Sequence, residues 1–586
     1  MSQLIDRRDL DFLLHDWLGV SALLEKPRFA GHDRATVDQI LDLSERLATD
    51  SFLTHYKESD RTEPRLDDDG VHILPAAGEA LARYAELGLF SAGFSPELGG
   101  LGLPYTVCSA AFSIFAAANV ATVGYAMLTV GNARLIATFG TPRQIETFAL
   151  PEIEGRWFGT MCLSEPQAGS DLGEVRTRAV ADGSDEHGNR YRLTGNKMWI
   201  SGGDQDASEN IVHLVLAKVR KDDGSLPEGT AGISLFIVPK VLPDGARNDV
   251  AVAGLNHKMG YRGTANCLLA LGEGGGALGW MVGEPGQGLR QMFLMMNEAR
   301  IGVGMGAAAL GYRGYLLSVR YARERLQGRA PGTRSGPPAP IIEHPDVKRM
   351  LLAQKAYAEG ALALCLYCAK LVDEEHDDPE SKALLELLTP VAKTWPSEFG
   401  LAANDLAIQV HGGYGYTRDF DVEQLYRDNR LNPIHEGTTG IQAIDLVGRK
   451  LLRSNGHGLG VLHKRIAATV ERARGNALTA DWGEALESSW RAIGAAIAGL
   501  GAGEPSRALD NATPALSAFG HGVAAWLWLD QALFAAEAAG IASSFAAGKR
   551  QACAYFFDHE VPRITAWLAP VVGRSTVAAD CDSALF

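Results

Sequence analysis

"NIVHLVLAKVR", residues 210–220, and "GISLFIVPKV", residues 232–241, are the runs on which the fold class turns. Both are dense in β-branched and apolar residues, and Asp222, Asp223 and Gly224 separate them as a turn would, so they read as strands. "RYRLTG", residues 190–195, has the same texture. A β domain is expected from Arg156 to near Glu284. Moving outward, "AGEALARYAELGLF" (77–90) follows a helical beat, and "SPELGGLGLPY" (95–105) interrupts it as a glycine-rich loop. Helical periodicity resumes at residue 288 with "GLRQMFLMMNEARIGVGMGAAALGYRGYLLSVRYARERLQGR" and continues to about Arg453, broken by the proline-rich loop "APGTRSGPPAP". An Ala-rich stretch carrying Trp526, Trp528, Phe534 and Trp567 then reads as a further helical unit.

At 586 residues with 46% hydrophobic content, the chain has material for several buried cores. Its formal net charge of -15 argues against a general nucleic-acid binder, which needs concentrated Lys and Arg. The opening "MSQLIDRRDLDFLLHDWLGV" mixes acids into its apolar positions and lacks a signal-peptide core. No apolar run is expected to reach the ~20 residues of a membrane span. Seven scattered cysteines fit a reducing compartment better than a disulfide framework, and the expected location is cytoplasmic.

Some motifs point nowhere. "GMGAAA" at residues 304–309 satisfies a relaxed dinucleotide fingerprint, but a helix is already running where the fingerprint needs a strand, so close helix–helix packing is the better reading. Cys365 and Cys368 form a C-x-x-C without a second ligand pair, and read as buried thiols on one helix. No metal is expected. "NPIHEGTTGIQAIDLVGRKLL", residues 432–452, is more informative. Ile441, Ile444, Val447 and Leu451 recur at helical spacing, and Thr439 with Gln442 has the spacing of a capping box. Glu436 therefore lies on the turn entering a helix. "LTGNKMWISGG" (193–203) reads as a strand on which Trp199 and Ser201 alternate with Met198 and Ile200, putting an aromatic plane and a hydroxyl on one face. "GTMCLSEPQAGSDLG" (159–173) runs from a strand into a loop of Pro, Gly and Ser with exposed amides and hydroxyls.

Taken in order, "CLSEPQAGSDLG", "NKMWISGG", "NHKMGYRGTANC", "ARERLQGR", "QVHGGYGY" and "HEGTTGIQ" resemble the acyl-CoA dehydrogenase family over roughly residues 35–453. The resemblance implies an α+β multidomain fold. An N-terminal helical domain with a leading extension would cover 1–155, a middle β-barrel-like domain 156–285, a C-terminal four-helix domain 286–455 and an additional helical C-terminal extension 456–586. It implies FAD as cofactor. Met161, Leu163, Ser164, Gly169, Ser170, Trp199, Ser201 and Thr438 would contact it, and Gln409, Gly412 and Gly413 would lie on its adenosine side. Arg325 would reach the pyrophosphate of a neighbouring subunit's FAD. Ser170, Asn297, Arg300 and Gly437 would contact an acyl-CoA substrate, and Glu436 would be the catalytic base.

Thioester dehydrogenation removes a proton from the carbon beside the carbonyl and a hydride from the next, so one carboxylate opposite a hydride acceptor suffices. The product would be the trans-2-enoyl-CoA, with electron-transfer flavoprotein as the acceptor of electrons. Three positions depart from the family pattern: His435, where many members carry tyrosine, Gly440, often a flavin-contacting glutamine, and Pro345, also a glutamine in shorter relatives. The added C-terminal unit resembles the large members, which include long-chain and broad-range enzymes and 3-methylmercaptopropionyl-CoA dehydrogenases. A flavoprotein associated with DNA repair and an acyl-CoA oxidase are the competing readings. The apolar extension is expected to lie along the C-terminal helical domain, over the surface that shorter relatives use to pair dimers, which would make the protein a homodimer.

Overall fold

The structure, a computed structural model, describes residues 3–586 apart from Arg334 and Ala539, with the side chains of Leu294, Asn297 and Pro505 outside the description. It is a multidomain α+β fold of two compact units, one of Pro27–Ala299 and one of Met1–Lys26 with Arg300–Phe586.

In the first unit the helices Arg34–Leu47, Pro75–Glu86 and Tyr105–Phe139 precede a sheet. Asp33 caps the first of these by accepting from Thr36 N–H, and Val37, Leu41 and Leu47 make its buried stripe. A small hairpin, β1 (Arg65–Asp67) and β2 (Gly70–His72), leads to β3 (Trp157–Cys162), β4 (Arg178–Asp185), β5 (Gly188–Ser201), β6 (Asn210–Val219), β7 (Ile233–Pro239), β8 (Val250–Leu255), β9 (Asn266–Leu271) and β10 (Ala277–Met281). Strand order is β10-β7-β6-β4-β5-β9-β8, with β3 parallel to β6. Because β10 pairs with β5 as well as with β7, part of the sheet closes on itself. Asn210 to Lys218 of β6 are all buried, which is why this strand reads as a continuous apolar run rather than an alternation. Val212, Leu214 and Leu216 share a core with Ile233, Leu235 and Ile237 of β7 and with Phe148 and Ile153.

One expectation fails here. The helix Tyr105–Phe139 is long and apolar enough to cross a membrane, with an 18-residue window of mean hydropathy 1.7. That window is 83% buried within the protein, however. The helix also breaks its own geometry at Asn119, whose φ of -159° and ψ of 91° are non-helical. At the break the Asn119 side-chain oxygen accepts the Thr122 N–H at 3.3 Å, as an N-cap would, and its amide donates to the carbonyl of Phe52 and the hydroxyl of Ser59.

In the second unit the helices Pro345–Glu374 and Pro379–His411 pack together, and the part of Gly288–Glu324 that begins at Arg300 approaches them closely at Gly304 and Gly311. "GMGAAA" is the packing seam expected of it: a Cβ on Gly304 would lie 2.0 Å from the carbonyl oxygen of Ala392. That carbonyl has no helical partner, because residue 396 is proline and lacks the N–H due to reach it. Cys365 Sγ donates to it instead at 3.8 Å. The C-x-x-C is thus structural, and all seven cysteines are free thiols.

The helices His457–Arg474, Ala480–Gly501, Ala512–Glu537, Ser543–Tyr555 and Arg563–Val572 form the extension. Trp528 is fully buried and donates its indole N–H to the Ala356 carbonyl at 3.0 Å, while Trp395 donates to His521 Nδ1 at 3.0 Å. The leading segment joins them: Phe12 packs edge-on against Phe534 and Phe545, and Trp17 donates to Asp530 at 2.8 Å.

Candidate active site

Within the unit of Pro27–Ala299, Trp199 stands 61% exposed at a φ of 65°. A tryptophan in left-handed backbone facing solvent is doubly unfavourable unless a ligand covers it. Its placement corrects the simple alternation expected of this strand. The pairing of β5 with β9 shifts between Lys197 and Ile200, so a bulge re-aims the indole. Met198 N–H donates to the Ser164 carbonyl at 3.0 Å, tying the bulge to the polar loop. Ser201 accepts from Asn266 at 3.2 Å.

The loop itself is knotted around Glu165. Its carboxylate pairs with the buried Lys197 at 2.9 Å and accepts from Thr177 Oγ1 at 2.6 Å, from the backbone N–H groups of Arg176 and Thr177 and from the Gln167 amide. Lys197 also donates to the Leu163 carbonyl at 3.1 Å. Burial alone would raise the Glu165 pKa, but Lys197 and these donors hold it down at about 2. Met161 and Leu163 pack partly buried against the strand core, while Gly169 and Ser170 are exposed on the loop.

Within the unit containing Arg300–Phe586, Arg325, Gly412 and Gly413 line one groove of about 450 Å³, together with Tyr321, His411 and Tyr414. Gly412 has a φ of 60°, and nothing within 4 Å would meet a Cβ on it or on Gly413, so the backbone is bare on this side. Tyr321 and His411 stack at 4.3 Å in the groove. Gln409 is exposed at the end of its helix, where its carbonyl accepts the Gly412 N–H.

Glu436 occupies the turn before the helix Thr439–Ile444 with a φ of 53°, and Gly437 follows at 89°. The capping differs from the sequence expectation. Thr438, not Thr439, is the cap, accepting from Ile441 N–H at 3.3 Å. Gln442 turns back to donate to the Glu436 carbonyl at 3.0 Å, and Thr439 Oγ1 donates to Glu398 at 2.5 Å. The left-handed turn leaves the Glu436 carbonyl without a helical partner, and Gln442 supplies one. Beyond Ile444 the helix widens into a π turn, Asp445–Leu451, that buries Asp445. Arg300, itself buried, pairs with Asp445 at 3.0 Å.

Two cations act on Glu436. Burial pushes its carboxyl above the ordinary value, while Arg300 and Lys393 oppose the rise. Lys393 donates to the Asn432 carbonyl at 2.7 Å and is itself pushed down by burial to about 8, against the pull of Glu436 and Glu398. His435 is pushed down to about 3 by burial and by Lys393, which keeps it neutral, and it bonds Asn432 at 3.1 Å. The Asn297 side chain lies outside the described residues. Lys393 was not legible as a site residue. The available signal was a lone lysine in the apolar helical stretch "LLTPVAKTW", residues 387–395.

In the unit of Pro27–Ala299, a planar aromatic left exposed by a bulge beside a loop of amides and hydroxyls suits a flavin ring, and in the other unit, taken by itself, a groove with an arginine and bare glycine backbone suits a phosphate group. Comparisons with known proteins agree. Models described as acyl-CoA dehydrogenase N-terminal, middle and C-terminal domains match residues 39–155, 160–272 and 286–452, and one described as acetyl-CoA dehydrogenase C-terminal like matches 462–582. The chain belongs to the acyl-CoA dehydrogenase family. It is a flavin-dependent oxidoreductase whose cofactor is FAD and whose general chemistry is acyl-CoA dehydrogenation. Among its relatives is the 3-methylmercaptopropionyl-CoA dehydrogenase of Ruegeria pomeroyi, 37% identical over 494 residues, or 81% of this chain and 82% of that one. Another is the broad-specificity linear acyl-CoA dehydrogenase FadE5 of Mycobacterium tuberculosis, 37% identical over 80% of this chain and 78% of that one. The fold matches an acyl-CoA dehydrogenase from Bacillus anthracis complexed with FAD at a TM-score of 0.76, over 95% of this chain and 90% of that one at 22% identity.

Proposed function

We propose that this acyl-CoA dehydrogenase converts a linear acyl-CoA thioester to the trans-2-enoyl-CoA, with Glu436 taking the α-proton. Bound FAD supplies the acceptor for the hydride leaving the adjacent carbon. The observation that carries this reading is Glu436 itself: a half-buried carboxylate on a left-handed turn, its affinity for a proton raised by burial. A base must hold a proton and later release it, and burial tempered by two cations moves the carboxyl toward the working range. Thr438, Gly437 and the Gln442 tie fix where the carboxyl stands. Ser164, Trp199, Ser201 and their loop neighbours Met161, Leu163, Gly169 and Ser170 hold the flavin, Gln409, Gly412 and Gly413 lie on the adenosine side of the cofactor, and Arg325 reaches the pyrophosphate of a neighbouring subunit's FAD. Ser170, Asn297 and Gly437 contact the acyl-CoA, with Arg300 near its CoA moiety.

The two relatives support an unbranched acyl chain. In 3-methylmercaptopropionyl-CoA a thioether sulfur stands where a methylene would, so both relatives' names describe linear chains. Free thiols support a cytoplasmic setting, in β-oxidation-type metabolism with an electron-transfer flavoprotein as acceptor. The extension's apolar helices, seated on the dehydrogenase helices, support a homodimer. Its arginines are largely committed to ion pairs, Arg472 with Asp530 and Glu537 and Arg474 with Glu471 and Glu487, which disfavours a duplex-binding role.

The test is direct. Purified protein should be yellow with FAD retained through dialysis, and a panel of linear and branched acyl-CoAs should reduce an artificial acceptor with linear chains preferred. A colourless protein that FAD does not reconstitute would overturn the reading, and peroxide formed in place of acceptor reduction would make it an oxidase.

A further inference from the structure

Lys393 is the least expected charge in the molecule. It is fully buried in the helix Pro379–His411, between the in-helix prolines Pro390 and Pro396. A lysine there loses its hydration, so it persists only if something in the site uses its charge or its donors. Its Nζ donates at 2.7 Å to the backbone carbonyl of Asn432, the residue whose side-chain oxygen accepts from His435 Nε2 and which opens the turn carrying Glu436. The partner is a neutral carbonyl, not a carboxylate.

The other cation beside Glu436 stands differently. Arg300 is balanced by Asp445 at 3.0 Å, so its charge is largely compensated. The carboxylates acting on Lys393 are Glu436 and Glu398, and the second already accepts from Thr439 Oγ1. The titratable and charged groups around the turn are Arg300, Lys393, Glu398, His435, Glu436 and Asp445, with His435 neutral and with the more exposed Arg449 reaching the other oxygen of Asp445 at 3.7 Å. Of the two cations, Lys393 is the one whose charge is not cancelled by an ion pair of its own.

We propose that Lys393 is a positioning residue for the base: it anchors the turn of residues 432–437 through the Asn432 carbonyl and sets a positive charge beside the Glu436 carboxylate. This rests on the reading of Glu436 as base. The sign follows from linkage. Lys393 favours ionised Glu436, so its charge keeps the base deprotonated to lower pH. Removing the charge should move the acid limb of the rate profile upward, by roughly 1 pH unit, the lower end of what a nearby opposite charge does.

The experiment measures anaerobic flavin reduction by one accepted acyl-CoA across pH in the FAD-loaded wild type, Lys393→Met, Lys393→Arg and Glu436→Gln. Lys393→Met should retain flavin and substrate affinity within about threefold, but lose roughly tenfold in rate on the acid side and less on the alkaline side, as expected for a limb moved by 1 unit. Lys393→Arg, which keeps the charge, should return the limb toward wild type. If Lys393→Met does not fold, Lys393→Gln keeps a donor for the Asn432 carbonyl without the charge and carries the same expectation. A limb unmoved in the folded charge-removing variant, or a loss equal at every pH, overturns the proposal. A limb that persists in Glu436→Gln instead overturns the base assignment, so the two failures are distinct.

Discussion

Trp199 and Glu436 are both large side chains held in left-handed backbone, at φ 65° and 53°, but they are held by different means. Such conformations cost of order 1–3 kcal/mol each and persist only where surroundings over-determine them. At Trp199 the surroundings are a ladder. Lys197 faces Leu269 and Ile200 faces Cys267 in β9, and the Ser164 carbonyl takes the Met198 N–H. At Glu436 there is no ladder. Individual side chains do the holding: Lys393, thirty-nine residues away, on Asn432, and the nearby Gln442 on the Glu436 carbonyl with Thr438 as cap. A platform for a flat ring needs rigidity, which a sheet gives at low cost in special residues. A base whose proton affinity is tuned needs polar neighbours, and these can be supplied only by side chains.

The contrast can be broken at the sheet first, where the largest effect is expected. Lys197→Met leaves Glu165 buried without its cation, and should destabilise the protein by about 3–5 kcal/mol in denaturant unfolding while lowering FAD retention. A loss under 1 kcal/mol would mean that the ladder holds Trp199 without the ion pair.

Acid probes the same knot without mutation. The folded Glu165 carboxyl titrates at about 2 against an ordinary 4.5, so it binds protons less readily than in the unfolded chain. Its contribution is full above pH 4.5, is lost as pH falls toward 2, and is worth at most roughly 3 kcal/mol after the usual conversion. The stability of wild type should therefore fall more steeply over that window than the stability of Glu165→Gln. Parallel profiles would remove Glu165 from the account.

On the other side, Gln442→Leu strands the Glu436 carbonyl and should cost about 1–3 kcal/mol while slowing flavin reduction with FAD still bound. Slower reduction with unchanged flavin binding separates the two regions, and loss of flavin would join them. Smallest is Thr438→Ala, about 0.5–1 kcal/mol in unfolding, because its 3.3 Å cap bond is long and the helix it caps is short.

How far the sequence carried differs between the same two regions. The strands of "NIVHLVLAKVR" and "GISLFIVPKV" were legible because β-branched density and turn residues are local signals. The bulge at Trp199 was not, since it arises from the register with β9, seventy residues onward in the chain, and alternation alone cannot report it. Glu436 was legible through the motif around it. Its cap was misplaced by one residue because Gln442 serves a turn carbonyl rather than a capping box, a choice made by the turn's geometry. Lys393 and Asp445 were invisible as site residues because their partners, Asn432 and Arg300, are distant in sequence. The apolar helix Tyr105–Phe139 was underestimated for the opposite reason: its Ser, Thr, Asn and Gly residues disguise a run that the core buries almost whole.

The central claim is that Glu436 takes the substrate's α-proton. Anaerobic mixing of Glu436→Gln with the acyl-CoA that wild type oxidises fastest tests it most directly, with flavin absorbance as the readout. The variant should keep its yellow flavin and bind the thioester, yet bleach at least ~10²-fold more slowly, the lower end for losing a positioned base. Bleaching at the wild-type rate by a variant that is folded and fully loaded with FAD would contradict it.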